Sequence, residues 1–444
     1  MPETPETSGF WDDPRLRLSF LGLAVIFITA GAPAALKFSD SPFIALMLAN
    51  ACLALAAMRL AAVHPGRGVL LIIFAVALLL RLMLLFEAPL LSTDVYRYIW
   101  DGRVVNAGFN PFTHIPAEPA LAALRDTAVY LNVDKRDYAV TIYPPVAQFI
   151  FAATVWISGG LLAMKAAMLL FEAAAVAAVL YLLGRLGKPR ALIVGYLWHP
   201  AALWEIANNA HADAAMMALV FIAFAVGAGK ARPYAAGALL ALAALVKPPA
   251  ALALPVLWRP SDVKLPAFVL GLALLCYVPF LSAGTGVLGF LGTYFKEQRF
   301  DTGHSFYLVN LINGPGPPAL WLTLAYYALA AAALTALILR ASFRAERSLE
   351  TSLRDTAWIM ITFLFFLSPD FPWYYLVLLP FVPLTGSWSA FAMTSAGFLL
   401  NDVTVDDYSL SFSVRGGIFN ALVLAAILYD LGRSMMRRRA GAKA

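Results

Sequence analysis

The sequence has little charge and little cysteine. Asp, Glu, Lys and Arg make up 13% of its 444 residues, whereas a soluble domain carries roughly 25%. Hydrophobic residues make up 61%, and the mean hydropathy is +0.77. This composition excludes an ordinary soluble domain and predicts a membrane protein. The two cysteines, Cys52 and Cys276, lie inside apolar runs, which predicts two buried thiols and neither a disulfide framework nor a metal cluster.

The basic residues are spread along the chain, although the formal net charge is +6. They form no patch interleaved with aromatic residues, so we expect no nucleic-acid partner. The one dense basic run, "RSMMRRRAGAKA" at residues 433–444, predicts a cytoplasmic tail held against anionic membrane lipids. Residues 1–16 are acidic and contain prolines, without the basic start of a signal peptide. We therefore expect a short cytoplasmic tail there.

Long apolar stretches predict an all-α, polytopic transmembrane helix bundle that forms a single domain over residues 17–432. A helix needs about 20 apolar residues to cross a bilayer. Two stretches depart from this pattern: 143–158 is short and begins "YPPVAQFIF", and 233–258 is interrupted by "VKPPA", which predicts two half-helices. We expect about 11–14 membrane helices. The other apolar stretches are 17–36, 42–61, 68–86, 161–183, 191–206, 213–229, 264–282, 318–340, 354–369, 372–385, 387–400 and 415–432.

Basic residues that flank the spans predict the orientation, because Lys and Arg collect in cytoplasmic loops. Arg59, Arg185 and Arg340 are examples. Placing them in the cytoplasm puts both termini there, provided that residues 143–158 dip into the membrane and return. This predicts a multi-pass protein of the inner (plasma) membrane, with its distinctive polar residues at the extracytoplasmic face. The outer loops are then 87–142, 283–317 and 401–414.

The segment "STDVYRYIWDGRVVNAGFNPF", residues 92–112, opens the longest outer loop and is unusually polar and aromatic. Asp94, Arg97, Tyr98 and Asp101 lie at helical offsets of zero, three, four and seven, so they share one face of a helix. We expect this amphipathic helix to rest at the membrane interface. Two interpretations follow from these residues: Arg97 neutralises both aspartates in a surface plug, or one carboxylate is a general base.

The sequence "NNAHAD" brings Asn209, His211 and Asp213 to the start of another helix. Asp213 can cap that helix and favour its N-terminal dipole, or it can bind substrate. His211 can donate to a phosphate or a sugar, or serve a structural role. No third metal ligand is evident and the outer loops hold no Asp-x-Asp motif, so we predict that no metal binds.

Cations and aromatic residues elsewhere offer further substrate contacts. Lys247 lies in an apolar stretch, where a charge is costly unless it meets an anion or water. It can bind a lipid phosphate or extend to the headgroups. Arg299 and His304, in "TYFKEQRFDTGHSFYLVN", are further phosphate ligands or part of a solvated cluster. Trp373 and Tyr374, in "PDFPWYY", form an aromatic belt or stack on a sugar ring.

Five segments in this order carry a family resemblance: "STDVYRYIWDGRVVNAGFNPF", "TIYPPVAQFIF", "NNAHADAAMM", "ALVKPPAAL" and "PDFPWYYLVLLP". The chain resembles the polytopic C-type (GT-C) glycosyltransferases and, among them, the bacterial polyprenyl-phosphate-mannose-dependent mannosyltransferases. The resemblance extends over nearly the whole chain. It is specific for the superfamily as an ordered set, whereas each segment alone is a weak signal.

The resemblance implies a reaction and roles for the residues. In that family an acid in the first large outer loop is the catalytic base; Asp94 matches that position, and Asp101 is the second candidate. The donor is a sugar, expected to be mannose, joined through phosphate to a polyprenol. A hydroxyl of a lipid- or glycan-linked acceptor displaces the phosphate with inversion, and no cofactor is implied. Arg97, Tyr98 and Tyr143 are expected to bind substrate.

Two other classes of protein fit an apolar bundle. A lipid or sugar transporter or flippase would place its polar residues at the bilayer midplane and show inverted repeats. A non-catalytic scaffold would leave Asp94 and Lys247 on unrelated surfaces. The predicted position of the polar residues at one membrane face favours the enzyme, although fold analogy alone does not establish a function.

Overall fold

The computed structural model describes residues 13–227, 232–314, 316–403 and 410–441, with side chains described up to residue 436 in the last segment. The structure is 76% helical, and these residues contain no strand, so the predicted all-α polytopic bundle is confirmed. The predictions for residues 1–12, 404–409 and 442–444 lie outside the described residues.

Seventeen α-helices, some joined by short 3-10 or π-helices, build the described part of the chain. The first nine are α1 (Pro14–Phe38), α2 (Asp40–Val63), α3 (Arg67–Leu85), α4 (Asp94–Asn106), α5 (Pro145–Ile157), α6 (Leu161–Arg185), α7 (Val194–Leu197), α8 (Asp213–Gly227) and α9 (Pro233–Ala244). The others are α10 (Lys264–Tyr277), α11 (Leu291–Glu297), α12 (Tyr307–Asn313), α13 (Leu320–Ser342), α14 (Leu349–Leu367), α15 (Phe381–Thr385), α16 (Trp388–Ala396) and α17 (Phe412–Gly441).

Seven helices in the described part of the chain are long and apolar enough to cross a membrane, judged by length and composition. They are α1, α2, α3, α6, α13, α17 and the run Lys264–Glu297 that contains α10 and α11. A pair bent by 113°, Ala202–Asn208 with α8, raises the number to eight if the pair counts as one span. The shorter apolar helices, such as α5 and α9, account for the larger number of 11–14 predicted from hydropathy.

The predicted span 191–206 is wrong as a single helix. A 3-10 turn at Arg190–Ile193 and the four residues of α7 precede a π-helix at Ala202–Asn208. Pro200 follows α7 and lacks the N–H that a continuing helix needs, which is one physical reason for the break. The apolar composition of this stretch therefore indicated burial correctly but did not indicate its conformation.

The predicted interruption at Lys247 is confirmed. Helix α9 ends at Ala244, and a 3-10 helix runs from Pro248 to Val256. The two prolines after Lys247 cannot donate hydrogen bonds to the preceding turn, so the α-helix cannot continue through them. The second half is thus a 3-10 helix instead of a half α-helix.

Several helix ends meet at one end of the bundle, which we call the site end; it contains residues 86–94, 208–213, 245–247 and 368–375. The Asn208 and Asn209 side-chain oxygens accept hydrogen bonds from the Leu90 backbone at 2.8 and 3.1 Å. The Lys247 ammonium pairs with Asp213 at the start of α8. Of these segments, residues 87–94 belong to a predicted outer loop.

The other end, which we call the basic end, gathers residues 184–190, 256–259, 340–347, 384–389 and 430–434. Arg347 donates to the Trp258 carbonyl at 2.9 Å, and Lys188 donates to the Leu384 carbonyl at 2.5 Å. The predicted cytoplasmic flanks are therefore neighbours in space. Which end faces the cytoplasm stays a prediction.

Helix α5 begins and ends near the site end, as the prediction for residues 143–158 requires. At its start, the Val146 N–H donates to the Leu245 carbonyl at 3.1 Å. Just after its end, Lys165 in the first turns of α6 donates to the carbonyls of Leu84 and Glu87, each at 2.6 Å. Because Leu84 and Glu87 lie at the end of α3, the contacts support a segment that returns to the side from which it entered.

Helix α4 is buried, whereas the sequence predicted a helix lying at the membrane surface. Its apolar side, with Val95 and Ile99, and its polar side, with Asp101, are all 1% exposed or less. Helix α5 packs directly against it at Gly102, where an added Cβ atom would lie 2.6 Å from the Phe151 carbonyl oxygen. The amphipathic pattern is real, but beyond Asp94 its polar face meets protein groups instead of water.

The described cysteines are less buried than predicted. Cys52 is exposed on the outer surface of α2 and Cys276 is partly exposed, and both are free thiols. In a membrane protein such a surface faces lipid. The prediction of two buried thiols is therefore wrong for Cys52.

Replacing Gly102 by alanine should destabilise the protein, because the new methyl group would force α4 and α5 apart. Overpacking of this kind costs about 1–3 kcal/mol. Thermal unfolding of the purified protein in detergent should show a lower Tm for Gly102→Ala. Gly271→Ala in α10 is the control, since a Cβ atom there meets nothing within 4 Å. Equal Tm values for the two variants would contradict the close packing of α4 on α5.

Labelling with a membrane-impermeant thiol reagent checks the orientation. After Cys52 and Cys276 are replaced by alanine, single cysteines at Ala120 and Thr285 should react in intact cells. A cysteine at Ala345, exposed at the basic end, should react only after the cells are broken. The reverse pattern would show that the basic end faces outward.

Candidate active site

The site end surrounds the first turn of α4 with groups from four other segments. These are the loop before α5, the break between the π-helix and α8, residue 247, and residues 370–374. Each segment contributes at least one polar or aromatic side chain to the site. The arrangement brings together most of the residues that the sequence analysis selected, although they are spread over 280 positions of the chain.

Asp94 is the open carboxylate of this group. Its side chain is 30% exposed, whereas those of Asp213 and Glu205 are 3% and 0% exposed. The Tyr143 hydroxyl donates a hydrogen bond to Oδ2 of Asp94 at 3.2 Å, and Nδ1 of His211 lies 3.8 Å from the same oxygen. One oxygen of Asp94 is therefore held by the protein, and part of the carboxylate remains accessible.

Asp101 has the opposite environment, although it lies two turns further along the same helix. It is 1% exposed. Its Oδ1 accepts from Nε of Arg97 at 2.8 Å, and its Oδ2 accepts from the Thr141 hydroxyl at 2.5 Å and from the Gln148 amide at 3.2 Å. Arg97 also donates to the Ala139 carbonyl at 3.1 Å. Both oxygens of Asp101 are thus occupied, and Arg97 pairs with Asp101 but not with Asp94.

His211 lies between two carboxylates. Its Nε2 is 3.2 Å from Oε2 of Glu205, opposite the 3.8 Å approach of Nδ1 to Asp94, although neither ring nitrogen is aligned for a hydrogen bond. The imidazole is fully buried and stacks on Trp373, with ring centroids 4.6 Å apart. His211 can therefore fix the position of Asp94, or exchange a proton with it after a small movement.

Glu205 was missed by the sequence analysis. It is fully buried in the π-helix, and Nδ2 of Asn209 donates to its Oε2 at 3.1 Å. The available signal was an acid inside the apolar stretch "AALWEIANNA", because a buried carboxylate is costly unless it has a partner. The Ala210 φ of 57° turns the chain sharply after this π-helix and brings His211 back beside Glu205.

Asn209 holds the chain before α4 instead of pointing into open space. Its Oδ1 accepts from the Leu90 and Leu91 N–H groups, both at 3.1 Å. Together with Asn208 it fixes the segment that leads to Asp94. Its predicted role in substrate binding stays a prediction, and its contacts describe a positioning residue.

Lys247 forms an ion pair with Asp213, and its ammonium lies 5.8 Å from the ring centroid of Tyr374. The Lys247 side chain is 15% exposed, so it is not fully enclosed by the protein. An ammonium group has three donors, and Asp213 accepts from one of them here. The group therefore retains donors for a second anion.

The aromatic residues of "PDFPWYY" pack against the site instead of forming a separate belt. Trp373 stacks on both His211 and Phe371, which covers much of its ring. The Tyr374 hydroxyl lies 2.5 Å from that of Tyr294, a residue of α11 that the sequence analysis did not select. Tyr374 and Tyr294 thus connect the loop after α10 to the site.

Burial controls the protonation of three groups here. It raises the pKa of Tyr98 and Tyr143 well above the usual value, and the nearby Asp94 charge raises both further. Both phenols therefore stay neutral at physiological pH and can donate hydrogen bonds. Burial also raises the pKa of Asp370, beside this aromatic cluster, to about 6.

Arg299 and His304 stand apart from these residues. Nδ1 of His304 contacts the Thr302 hydroxyl at 2.9 Å, and Arg299 is exposed with a φ of 53°. Their described hydrogen bonds stay within residues 296–310, in α11, α12 and the segment between them. The structure therefore does not bring them to Asp94, and their predicted phosphate contacts stay predictions.

Within the described ranges, no three side chains of His, Cys, Asp and Glu are grouped so that they could hold a metal ion. Asp94, His211 and Glu205 lie in a row instead of converging on one point. Side chains arranged in such a row can form hydrogen bonds and transfer protons. The prediction that the protein uses no metal stays a prediction.

Comparison with known protein families gives a match over part of the chain. Residues 43–259 match a family described as alpha-(1->6)-mannopyranosyltransferase, N-terminal domain. That region covers just under half of the chain and contains α4, Tyr143, the Glu205–His211 pair, Asp213 and Lys247. Comparisons with curated proteins and with solved structures found no match.

The match agrees with the polytopic helical fold and with a cluster of polar groups at one end of the bundle. A mannopyranosyltransferase is a glycosyltransferase, so the transporter and scaffold interpretations are no longer needed. The match supports a glycosyltransferase, namely a mannosyltransferase of the GT-C type, in a chain with several helices long enough to cross a membrane.

Proposed function

We propose that this enzyme transfers mannose from a polyprenyl-phosphate donor to a hydroxyl group of a lipid- or glycan-linked acceptor, with Asp94 as the general base. The observation that carries the proposal is the difference in exposure among the carboxylates on α4 and beside His211 and Lys247. Asp94 is 30% exposed, whereas Asp101, Glu205 and Asp213 are at most 3% exposed. A base must reach the proton that it removes, and only an accessible carboxylate can do so.

The proposed reaction is a single displacement. The acceptor oxygen forms a bond to the anomeric carbon on the face opposite the phosphate, and the bond between that carbon and the phosphate oxygen breaks. The acceptor proton passes to Asp94, and the electron pair leaves with the polyprenyl phosphate. One displacement inverts the anomeric configuration.

Tyr143 and His211 support this role of Asp94. The Tyr143 hydroxyl donates to one carboxylate oxygen at 3.2 Å, which fixes the orientation of the group. His211 approaches the same oxygen, and the buried Glu205 carboxylate lies beyond it. We infer that this row holds Asp94 in place while its exposed part faces the acceptor.

Lys247 is the proposed contact for the donor phosphate. The leaving phosphate keeps its negative charge, and fixed donors that face this charge lower the barrier. Lys247 lies at the site end, is partly exposed, and is held by Asp213. The ion pair orients the ammonium, and its remaining N–H groups are available for phosphate oxygens.

The orientation of the protein completes the proposal. If the basic flanks face the cytoplasm, the site end lies at the extracytoplasmic face of the inner membrane. A polyprenyl chain can then stay in the bilayer while its phosphate-linked sugar reaches Asp94. The apolar surfaces of the bundle make the membrane lipids themselves partners of the enzyme.

Asp94→Asn should abolish most of the activity without unfolding the protein. The amide keeps the size of the side chain and can still contact Tyr143, but it cannot take the acceptor proton. We expect turnover to fall by about a hundredfold or more. The measurement is transfer of radiolabelled mannose from a synthetic polyprenyl-phosphate donor, with donor binding and Tm determined on the same preparation.

Asp101→Asn is the matched control for that experiment. It makes the same chemical change on the same helix, but at a buried group that holds Arg97, Thr141 and Gln148. Its main effect should be a lower Tm. If Asp101→Asn is inactive with an unchanged Tm while Asp94→Asn is active, the base is misassigned.

Lys247→Met should weaken donor binding by about tenfold to a hundredfold, the effect of losing one hydrogen bond to a charged group. It should also destabilise the protein, because Asp213 is left buried without its partner. The double variant Lys247→Met/Asp213→Asn separates the two effects. It removes both charges, so the Tm should recover while donor binding stays weak. Recovery of donor binding as well would leave the ion pair with a structural role only.

A further inference from the structure

A polar cavity lies at the basic end, on the opposite side of the bundle from Asp94. It has a volume of about 330 Å³. Its wall is formed by the last turn of α13 and the loop after it, α14 from Thr351 to Ile361, the link between α15 and α16, and the later part of α17. Cavities that bind small molecules start at about 300 Å³, so this one is large enough for a small ligand or a headgroup.

Arginine dominates the lining of this cavity. Arg340, Arg344, Arg354 and Arg433 line it, against two carboxylates. Nucleic-acid and membrane proteins often carry arginine on open surfaces, where water screens the charges. Here four guanidinium groups face one half-open space, and one of them, Arg354, pairs with the Glu350 carboxylate at 2.6 Å.

The two carboxylates of the cavity are already engaged. Asp355 accepts two hydrogen bonds from Arg344, at 2.8 and 2.9 Å. Asp430 accepts from the Ser387 hydroxyl at 3.0 Å, and from the Ser389 hydroxyl and N–H at 2.8 and 2.9 Å. Asp355 therefore neutralises one arginine, and Asp430 accepts hydrogen bonds from residues at the start of α16.

Two of the arginines are only weakly held by the described residues. Nη2 of Arg340 lies 3.9 Å from Oδ1 of Asp355, and that side chain is 48% exposed. Nη1 of Arg433 donates to the Gly386 carbonyl at 3.5 Å. Each guanidinium carries five N–H donors, so most donors of these two groups are unused by the part of the chain described here.

Neighbouring residues strengthen the positive potential. Burial and the nearby Arg259 and Arg344 charges lower the pKa of Arg347, which lies in the loop behind the cavity. An anion in the cavity would relieve this repulsion. Trp358 and Ile361 add an apolar wall on the side of α14 that continues into the bundle.

We propose that this arginine cavity binds a phosphate group at the face of the membrane opposite the transferase site. Guanidinium groups match the geometry of phosphate oxygens and form paired hydrogen bonds with them. The cavity lies among the basic flanks of the spans, at the depth where phospholipid headgroups are found. The phosphate can belong to an anionic phospholipid or to a free phosphate ion.

The test uses the full-length purified protein in an uncharged detergent at constant ionic strength. Inorganic phosphate is titrated while thermal unfolding is followed. Saturable stabilisation is expected, and the phosphate concentration needed for half of the effect should rise about tenfold or more in Arg340→Gln/Arg433→Gln. Arg433→Gln alone is used if the double variant does not fold, since it loses only one long hydrogen bond.

Arg59→Gln/Arg185→Gln is the matched control. These two arginines are exposed near the same end of the bundle but do not line the cavity, and their replacement removes the same charge. The control should bind phosphate as the unaltered protein does. Equal weakening in both double variants would reduce the effect to general surface charge and overturn the proposal.

Native mass spectrometry of protein released from bilayers distinguishes the two sources of phosphate. The bilayers contain phosphatidylcholine with or without phosphatidylglycerol. Retained phosphatidylglycerol that is displaced by inorganic phosphate and lost in Arg340→Gln/Arg433→Gln would assign the cavity to a lipid headgroup. Stabilisation by inorganic phosphate without retained lipid would assign it to the free ion. If no lipid is retained and inorganic phosphate gives no saturable stabilisation, the proposal is overturned.

Discussion

The Asp101 carboxylate is buried, and the position of α4 depends on the hydrogen bonds that this carboxylate accepts. Arg97, Thr141 and Gln148 supply donors to both of its oxygens. Thr141 precedes α5 and Gln148 lies in its first turn, so the contacts tie α4 to α5. Breaking a buried pair of this kind costs about 3–5 kcal/mol. This cost gives α4 one position against α5, with Gly102 allowing the two backbones to approach closely.

The same constraint explains why two aspartates on one helix face differ in chemistry. Arg97 is directed at Asp101 and the Ala139 carbonyl, so it does not neutralise Asp94. Asp94, at the open N-terminal turn, meets Tyr143 and His211 and keeps part of its carboxylate accessible. A buried, satisfied carboxylate stabilises the fold, whereas a partly exposed one can exchange protons with a substrate. The proposed division of roles therefore rests on the environment of each aspartate instead of on residue type.

From the sequence, the helices and their breaks could be predicted better than the contacts between their side chains. Local rules were sufficient for the helix that begins at Asp94 and for the break at Lys247, because offsets on a helix and prolines act within a few residues. The same rules predicted a helix lying at the membrane surface, whereas the structure buries Arg97 and Asp101 within the protein. The polar face of α4 is satisfied by Thr141 and Gln148, at 40 and 47 positions from Asp101, and no periodicity in residues 94–106 indicates such partners.

Around Glu205, contacts between residues far apart in the sequence determine the geometry of the site. A carboxylate with no exposure is tolerated there because Asn209 donates to it and His211 lies beside it. The turn that brings His211 back requires a positive φ at Ala210, a conformation that costs about 1–3 kcal/mol at a residue other than glycine. Such strain persists only where surrounding contacts determine the conformation. Asn208 and Asn209 make such contacts with residues 88–91. The two asparagines that fix the segment before Asp94 therefore also hold the strained turn.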